Sequence, residues 1–520
     1  MRKLSRYKLL YFAVLPLAFI AVGTLGSQVR GRIDLTTGQL YTISPPARER
    51  LLDLDEPVSI SYFLSPRLES YSAEPERIRE YLEEFAATSP LVELRVLDAS
   101  EPEHRDTALE LGLQPQQLTD SDSESQSIIS VFSGVVVQYD ESRRVLPFVL
   151  DSEAFEYELI SSWDEMIAER TPEIVVMSGN DELELRSAYQ NALLRLSERF
   201  TVRLLEQGDE LPPTADMLFL FGNKDLRTVT VLQIEDFLAA GGGVMLSVEG
   251  VHVQLDDELS ARELNRSDLD LLLERYGVRV SRELVVDRYH MLVPLAGAGG
   301  NPESFVSYPH WIELLSRNAA PGHALTEAVT GLDLFWPSRI EPVGDAPSEL
   351  NLTQLYTTSY EGRVMDSPFA TNPALGDDIY DRVWREGGDR IGVVMTLSGR
   401  FPPAPGATAE LTTERGRLLL VGGGYTFSDF LELGEDPMRN LRFLTAAGHW
   451  LASEEDLLAL LGRSSRDLRL TGIASSNVRA AVVNLAQWVN IVAIPVAVLL
   501  FGAVRIIRRR RFKGVDAASL

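Results

Sequence analysis

Three kinds of residue in this 520-residue chain could do chemistry: six histidines, carboxylates at the ends of apolar runs, and two glycine triplets. The histidines are His104, His252, His290, His310, His323 and His449. No two stand at H-x-H or H-x-x-x-H spacing and none lies in an H-E-x-x-H motif, so no metal site is written locally. Asp120, Asp122 and Glu124 open like a calcium loop, but the sixth position is Ser125 and the twelfth is Val131, where glycine and glutamate are required. That segment reads as a solvated acidic loop. Gly241 to Gly243 follow a helical pattern and precede a strand, the place of a helix C-cap and tight turn. Gly422 to Gly424 follow a strand, where the backbone could approach a ligand closely. Neither triplet leads into Lys-Ser/Thr, so neither holds phosphate and magnesium as a P-loop does.

Nucleophiles are scarce. The chain has no cysteine, which excludes disulfides, a thiol nucleophile, a C-x-x-C redox pair and a lipidated cysteine anchor. It has no G-x-S-x-G elbow. Met217 to Gly250 has the strand–turn–helix–glycine–strand layout of glutamine-amidotransferase-like domains, whose cysteine sits on the turn after the second strand. Here that place reads Leu246, Ser247, Val248, Glu249 and Gly250, and Ser247 has no identifiable base. A non-catalytic scaffold is the better reading, and no catalytic, cofactor-binding or metal-binding residue is assigned. The alternative chemistry is a hydrolase or sugar-active site built from scattered carboxylates. Asp98, Asp287 and Asp429 stand near strand ends, where open α/β sheets collect ligands.

The elements that must position these residues form an α/β protein. The region 30–150 reads as a small thioredoxin-like domain of order β-α-β-α-β-β. Within it Ile78, Tyr81, Leu82 and Phe85 share one helical face, and Val92, Leu94 and Val96 alternate as a strand. A linking helix at 151–170 carries Leu159, Trp163, Met166 and Ile167. The region 171–460 reads as a larger parallel-sheet domain. Its apolar runs Ile174–Met177, Met217–Phe221, Val244–Val248 and Arg417–Val421 end in glycine or polar turns, as buried parallel strands do. From about 289 to 390 the pattern blurs into a loop-rich insertion with aromatic residues Tyr308, Trp311, Phe335 and Trp336. A polar linker spans 461–479.

Both ends of the chain read as membrane segments. Residues 9–29 and 480–504 are apolar stretches, and about 20 apolar residues cross a ~30 Å hydrocarbon core. Arg2, Lys3, Arg6 and Lys8 precede the first span (1–8 is a basic tail). Arg505, Arg508 to Arg511 and Lys513 follow the second, in the tail 505–520. Basic residues on both outer flanks place both termini in the cytoplasm and the intervening domains across the membrane. A cleaved signal peptide is the competing reading of the first span. Its apolar run is longer than a usual ~7–15-residue signal core, and no clear A-x-A site follows it. Asn484, Gln487 and Asn490 are polar but uncharged within the second span and are candidates for contact with a partner helix. The 76 acidic residues outnumber 49 basic ones for a net charge of -27, which argues against nucleic acid or anionic lipid bound through a basic patch.

Several segments carry a resemblance. They include Leu40 to Pro45, Leu54 to Leu64, Phe155 to Leu159, Pro172 to Gly179, Ile234 to Gly243, Leu272 to Val278 and Gly448 to Asp456, followed by the final span and its arginine-rich tail. In this order and across nearly the whole chain, they resemble the auxiliary subunit of gliding-motility-type ABC transporters (Gldg-like). The resemblance implies a membrane-anchored extracytoplasmic subunit of the bacterial inner membrane, beside a multi-span permease and a cytoplasmic ATPase. It implies no catalytic residues and no cofactor. The middle domain is similar to one shared with intraflagellar transport proteins, which points to protein–protein contact. The ligand, small molecule or protein, is not specified by the resemblance. A tethered hydrolase and a purely structural envelope tether are the rival readings.

Overall fold

The computed structural model describes residues 42–464 except 123–124, 169, 257, 297–301, 345–346, 374–379, 386, 404–412, 414 and 435. Both expected spans, both basic tails, the stretch 465–479 and Asn484, Gln487 and Asn490 lie outside the described residues. Among the described residues, no helix is long and apolar enough to cross a membrane.

The first lobe begins with helix α1 (Pro45–Leu52), whose N-cap Ser44 accepts a hydrogen bond from the Ala47 amide through Oγ at 3.2 Å. Then come β1 (Val58–Leu64), α2 (Glu74–Thr88), β2 (Val92–Asp98) and α3 (Pro102–Glu110). Strands β3 (Gln116–Asp122), β4 (Ser125–Val131), β5 (Ser133–Tyr139) and β6 (Ser142–Leu146) complete the lobe. Its sheet has the order β2-β1-β5-β6, with β1 parallel to β2 and β5 antiparallel to both β1 and β6. Helix α2 lays the buried Ile78, Leu82 and Phe85 on one face of that sheet, while Ala108 of α3 packs with Phe63 and Val136 on the other. The acidic segment expected to be a loop is instead the β3–β4 hairpin, with Asp120 and Asp122 in β3. Its serine-rich strands lack the apolar alternation by which a strand is recognised.

Helix α4 (Ser152–Ile167) follows, its N-cap Asp151 accepting from the amides of Glu153 and Ala154 at 3.0 and 3.2 Å. It is buried on nearly every side, through Phe155, Tyr157, Leu159, Ile160 and Trp163. One continuous core runs from Ile60 and Phe85 through Trp163 into the second lobe at Phe219 and Phe443. The linking helix is therefore shared interior for both lobes.

The second lobe contains β7 (Glu173–Ser178), α5 (Gln190–Ser197), β8 (Thr201–Leu204), β9 (Met217–Phe221), α6 (Thr228–Ala239) and β10 (Gly243–Ser247). A long excursion then carries β11 (Val251–Val253), β12 (Ala261–Glu263), α7 (Asp268–Arg275) and β13 (Val278–Val286). It continues through β14 (His290–Ala296), β15 (Pro302–Leu315), β16 (Gly331–Phe335), β17 (Ser338–Pro342), β18 (Leu350–Thr357) and β19 (Arg363–Met365). Strands β20 (Gly392–Gly399) and β21 (Gly416–Val421) return to the main sheet, and α8 (Pro437–Leu451) and α9 (Glu455–Ser464) close the described chain. The main sheet is ordered β18-β20-β21-β10-β9-β7-β8, parallel from β21 to β8 and antiparallel at β20 and β18. Its buried strands divide their side chains alternately. Ile174, Val176, Phe219, Met245 and Leu419 face one core with α5 and α8, whereas Val175, Met177, Leu218, Leu246 and Leu420 face a second with α6 and α7.

Two expectations are corrected here. The segment 289–390 is not loop-rich: it holds β14 to β19, built around an aromatic core in which Trp311 meets Phe335 edge-on at 4.9 Å. The alternation is broken by a bulge, where Ser307 to Ile312 oppose only Leu292 to His290, and Pro309 sits in that bulge. The expected linker from 461 is also late, because α9 runs to Ser464 and buries Leu457, Leu458, Leu460 and Leu461. The first and last described elements meet, since Arg463 Nη2 donates to the Thr42 carbonyl at 2.7 Å.

A shared core makes a testable demand. Leu159→Ala, at a fully buried site of α4, is expected to cost about 3 kcal/mol and to lower both lobes together. Urea unfolding followed by circular dichroism and by tryptophan fluorescence checks this, and two separate transitions would refute the shared core.

Candidate functional site at the carboxyl edge of the parallel sheet

Strand β7 lies one strand in from the β8 edge of the main sheet. From it the chain goes outward to β8 and then returns to place β9 on the other side. The helices after β7 and β9 cover opposite faces. This reversal is a switch point, the place where doubly wound sheets open a crevice for ligands. Here the crevice is occupied by the protein's own turns. Gly222 adopts φ 77°, and a Cβ on Gly179 would stand 2.2 Å from the Gly222 carbonyl. The Gly179 amide donates to Phe221 O at 2.9 Å, and the Asp225 amide to Gly179 O at 2.8 Å. Only glycine permits turns this close.

Around those turns lies a chain of linked polar and charged side chains. Asn223 clamps the next turn with both ends of its amide, donating to Glu249 O at 3.1 Å and accepting from Glu249 N at 2.8 Å. The Glu249 carboxylate meets His252 Nδ1 at 2.7 Å, and His252 Nε2 lies 3.5 Å from Glu182. Lys224 Nζ then joins Glu182 at 2.5 Å and Asp225 at 3.4 Å. Burial raises the Glu249 carboxyl above its usual range, opposed by the hydrogen bond from His252. The hydrogen bond from Lys224 lowers Glu182, whereas Lys224 itself is raised by its carboxylate partners in spite of its burial. These groups answer one another, and the assembly holds the turns of β7, β9 and β10 in register. It contains no side-chain nucleophile beside a base.

The expected site residues are dispersed. Ser247 is fully buried and donates its hydroxyl to the Gly423 carbonyl at 2.5 Å. The approach to the Gly422–Gly424 turn is made by the chain itself: added Cβ atoms would meet Ser338 O at 2.5 Å and Glu249 Oε2 at 2.5 Å. Gly241, at φ 96°, turns the chain out of α6. Each of the three carboxylates organises backbone in a different region. Asp98 accepts from Ser100 N at 2.8 Å, and Asp287 accepts from Ser359 N at 2.6 Å and Tyr289 N at 3.1 Å. Asp429 accepts from Gln190 N and Asn191 N, both at 3.1 Å, at the start of α5. Among the described residues, no group of three or more His, Asp or Glu could hold a metal ion.

The histidines likewise serve local structure. His104 reaches Asp98 O, His290 reaches Ser307, and His323 accepts from the Leu325 amide. His449 lies between the Tyr157 hydroxyl and Glu454, each at 2.7 Å, and so joins α4 to α8. His310 reaches Ala370 O at 3.0 Å inside the aromatic core. The quartet of Glu182, Lys224, Glu249 and His252 escaped sequence reasoning. Its members come from three separate turns, and their only signal was their position after apolar strands.

The fold defines a doubly wound α/β lobe with a smaller mixed-sheet lobe sharing its core. By comparison with known proteins, residues 171–447 match the family described as "ABC-type uncharacterized transport system", and the chain belongs to that family of ABC transport accessory proteins. Residues 37–138 match a domain of unknown function. An uncharacterized protein of Borreliella burgdorferi is 23% identical over 489 residues, covering 92% of this chain and 94% of that protein. Among solved structures, the "mmIFT52 N-terminal domain" is 13% identical with a TM-score of 0.33, over 54% of this chain and 96% of its own. A putative ThuA-like protein from Parabacteroides merdae is 12% identical with a TM-score of 0.28, over 55% and 91%.

Two outcomes are expected. Asn223→Ala leaves the Glu249 amide and carbonyl without their partner and costs about 1–3 kcal/mol, measurable by urea unfolding; an unchanged midpoint would show that the clamp is idle. The second concerns pH. Burial holds the His310 ring at about 4, below its ordinary 6.5. The folded chain thus favours the neutral ring, a contribution present above pH 6.5 and lost as pH falls to about 4. It amounts to roughly 3 kcal/mol. Stability measured across that window should fall less in His310→Gln than in the parent, and parallel curves would contradict this origin.

Proposed function

We propose that the chain is a non-catalytic, membrane-anchored extracytoplasmic component of a gliding-motility-type ABC transport system. It works beside a multi-span permease and a cytoplasmic ATPase in a bacterial inner membrane, with both termini cytoplasmic. The observation that carries the accessory role is the match of residues 171–447 to the ABC transport family. The anchoring is supported by the apolar segments 9–29 and 480–504 with basic residues on their outer flanks. The non-catalytic reading is supported by the filled crevice and the tied hydroxyl of Ser247. The hydrolase alternative finds Asp98, Asp287 and Asp429 engaged separately with backbone amides. The first lobe supports a thioredoxin-like reading, since β5 alone runs against its neighbours in the order β2-β1-β5-β6.

Gentle solubilisation of the tagged chain from its own membranes is the test. Recovery of both a multi-span permease and an ATP-binding subunit is the expected result. Recovery of neither, even after cross-linking, would overturn the accessory role. Within the second span, changing Asn484, Gln487 and Asn490 together to leucine removes three interhelical hydrogen bonds of ~0.6 kcal/mol each. Association with the permease should then weaken roughly twenty-fold; undiminished recovery would remove these residues from the contact.

A further inference from the structure

Away from the sheet edge, a cleft of about 310 Å³ opens where α1, β5, α4 and α9 converge. Its wall is apolar, formed by Leu54, Tyr139, Trp163 and Ile167, and Ile167 is 50% exposed there. Its rim is acidic, formed by Glu49, Asp53 and Asp456. The rim's one cation, Arg50, is already forked by Asp164 at 2.8 Å on both nitrogens and reaches Asp456 only at 3.4 Å. Among the described residues, Glu49 and Asp53 have no ion-pair partner.

Trp163 supplies a second, independent observation. Its side chain is 2% exposed, packed edge-on to Phe85 and 5.8 Å from the Tyr139 ring. Its indole N–H nevertheless donates to no acceptor, and the nitrogen is not among the enclosed unpartnered atoms. The cleft is the open space that this ring lines. The nitrogen is therefore open to solvent and free to donate to a group that enters the cleft.

We infer that this cleft docks a lysine- or arginine-bearing segment of the membrane-spanning partner in the same transport system. Each feature has its counterpart in such a segment. The apolar wall fits the aliphatic stem of a long basic side chain, the aromatic rings and three carboxylates receive its cationic head, and the Trp163 N–H reaches a peptide carbonyl. The identity of the partner rests on the accessory role proposed above; the chemistry of the cleft does not.

The test uses the full chain in detergent micelles and the peptide acetyl-Leu-Arg-Leu-amide, followed by isothermal titration calorimetry. A saturable change is expected. It should vanish in Trp163→Phe, which keeps a ring without the N–H, and weaken at least tenfold when Glu49→Gln, Asp53→Asn and Asp456→Asn are combined. The matching peptide with glutamine in place of arginine should give no change. An equal response to both peptides, or an undiminished response in the triple variant, would overturn the inference. In membranes the triple variant should also recover less permease than the parent, and equal recovery would overturn the assignment of the partner. If the parent itself recovers no permease, the accessory role fails, while the peptide titration still judges the cleft on its own.

Discussion

The carboxylate of Glu156 is the point on which the architecture turns. It sits on the buried helix α4, accepting from the Ser44 amide at 2.8 Å on one oxygen and meeting Arg463 at 2.8 Å on the other. Ser44 caps the first described helix and Arg463 belongs to the last. One buried charge thus ties together the entry, the shared interior and the exit of the chain. Taking such a charge out of water is costly, and it is tolerated only where the geometry returns the lost hydration. Once Glu156 is fixed, α4 is oriented for Tyr157 to reach His449 and for Trp163 to lie against the first sheet. A single residue-to-residue geometry therefore determines how the two lobes share a core.

The same economy governs the carboxyl edge of the main sheet. A switch point normally leaves polar groups free to receive a ligand. Here Asn223, Glu249, His252, Glu182 and Lys224 receive one another, and glycine at 179 and 222 brings the backbone turns into direct contact. The excursion between β10 and β20 adds the aromatic core around Trp311 and Trp336, and Tyr425 joins it to the main sheet by donating to Val253 O at 2.7 Å. The edge has become a joint between layers of the protein.

Much of this was legible from residue pattern. The apolar runs at Ile174, Met217 and Val244 are strands of the parallel sheet, and the face of Ile78, Leu82 and Phe85 is the buried face of α2. Those elements bury a contiguous surface, so their periodicity is strong. The β3–β4 hairpin and the strands of 289–390 were not legible. Serine-rich pairing and a proline-bearing bulge remove the alternation on which such reading depends. The charge quartet was hidden for another reason. Its side chains are neighbours only because three parallel strands end side by side, and no spacing in the sequence records that register.

The acidic balance acquires a structural meaning from these arrangements. In the interior, the carboxylates of Glu156, Glu173, Glu235 and Asp333 are each matched by an arginine, which offsets much of the buried charge. The surplus behind the net charge of -27 is therefore displayed mainly at the surface. A surface of that kind keeps the body solvated and repels anionic partners, while favouring encounter with cationic ones. Where the unmatched Glu49 and Asp53, together with Asp456, border an apolar wall and an unpaired indole N–H, general repulsion gives way to local complementarity. The crevice that a doubly wound fold would usually offer is closed by the chain's own turns. In the proposed role, recognition falls to the cleft bordered by α1, α4 and α9.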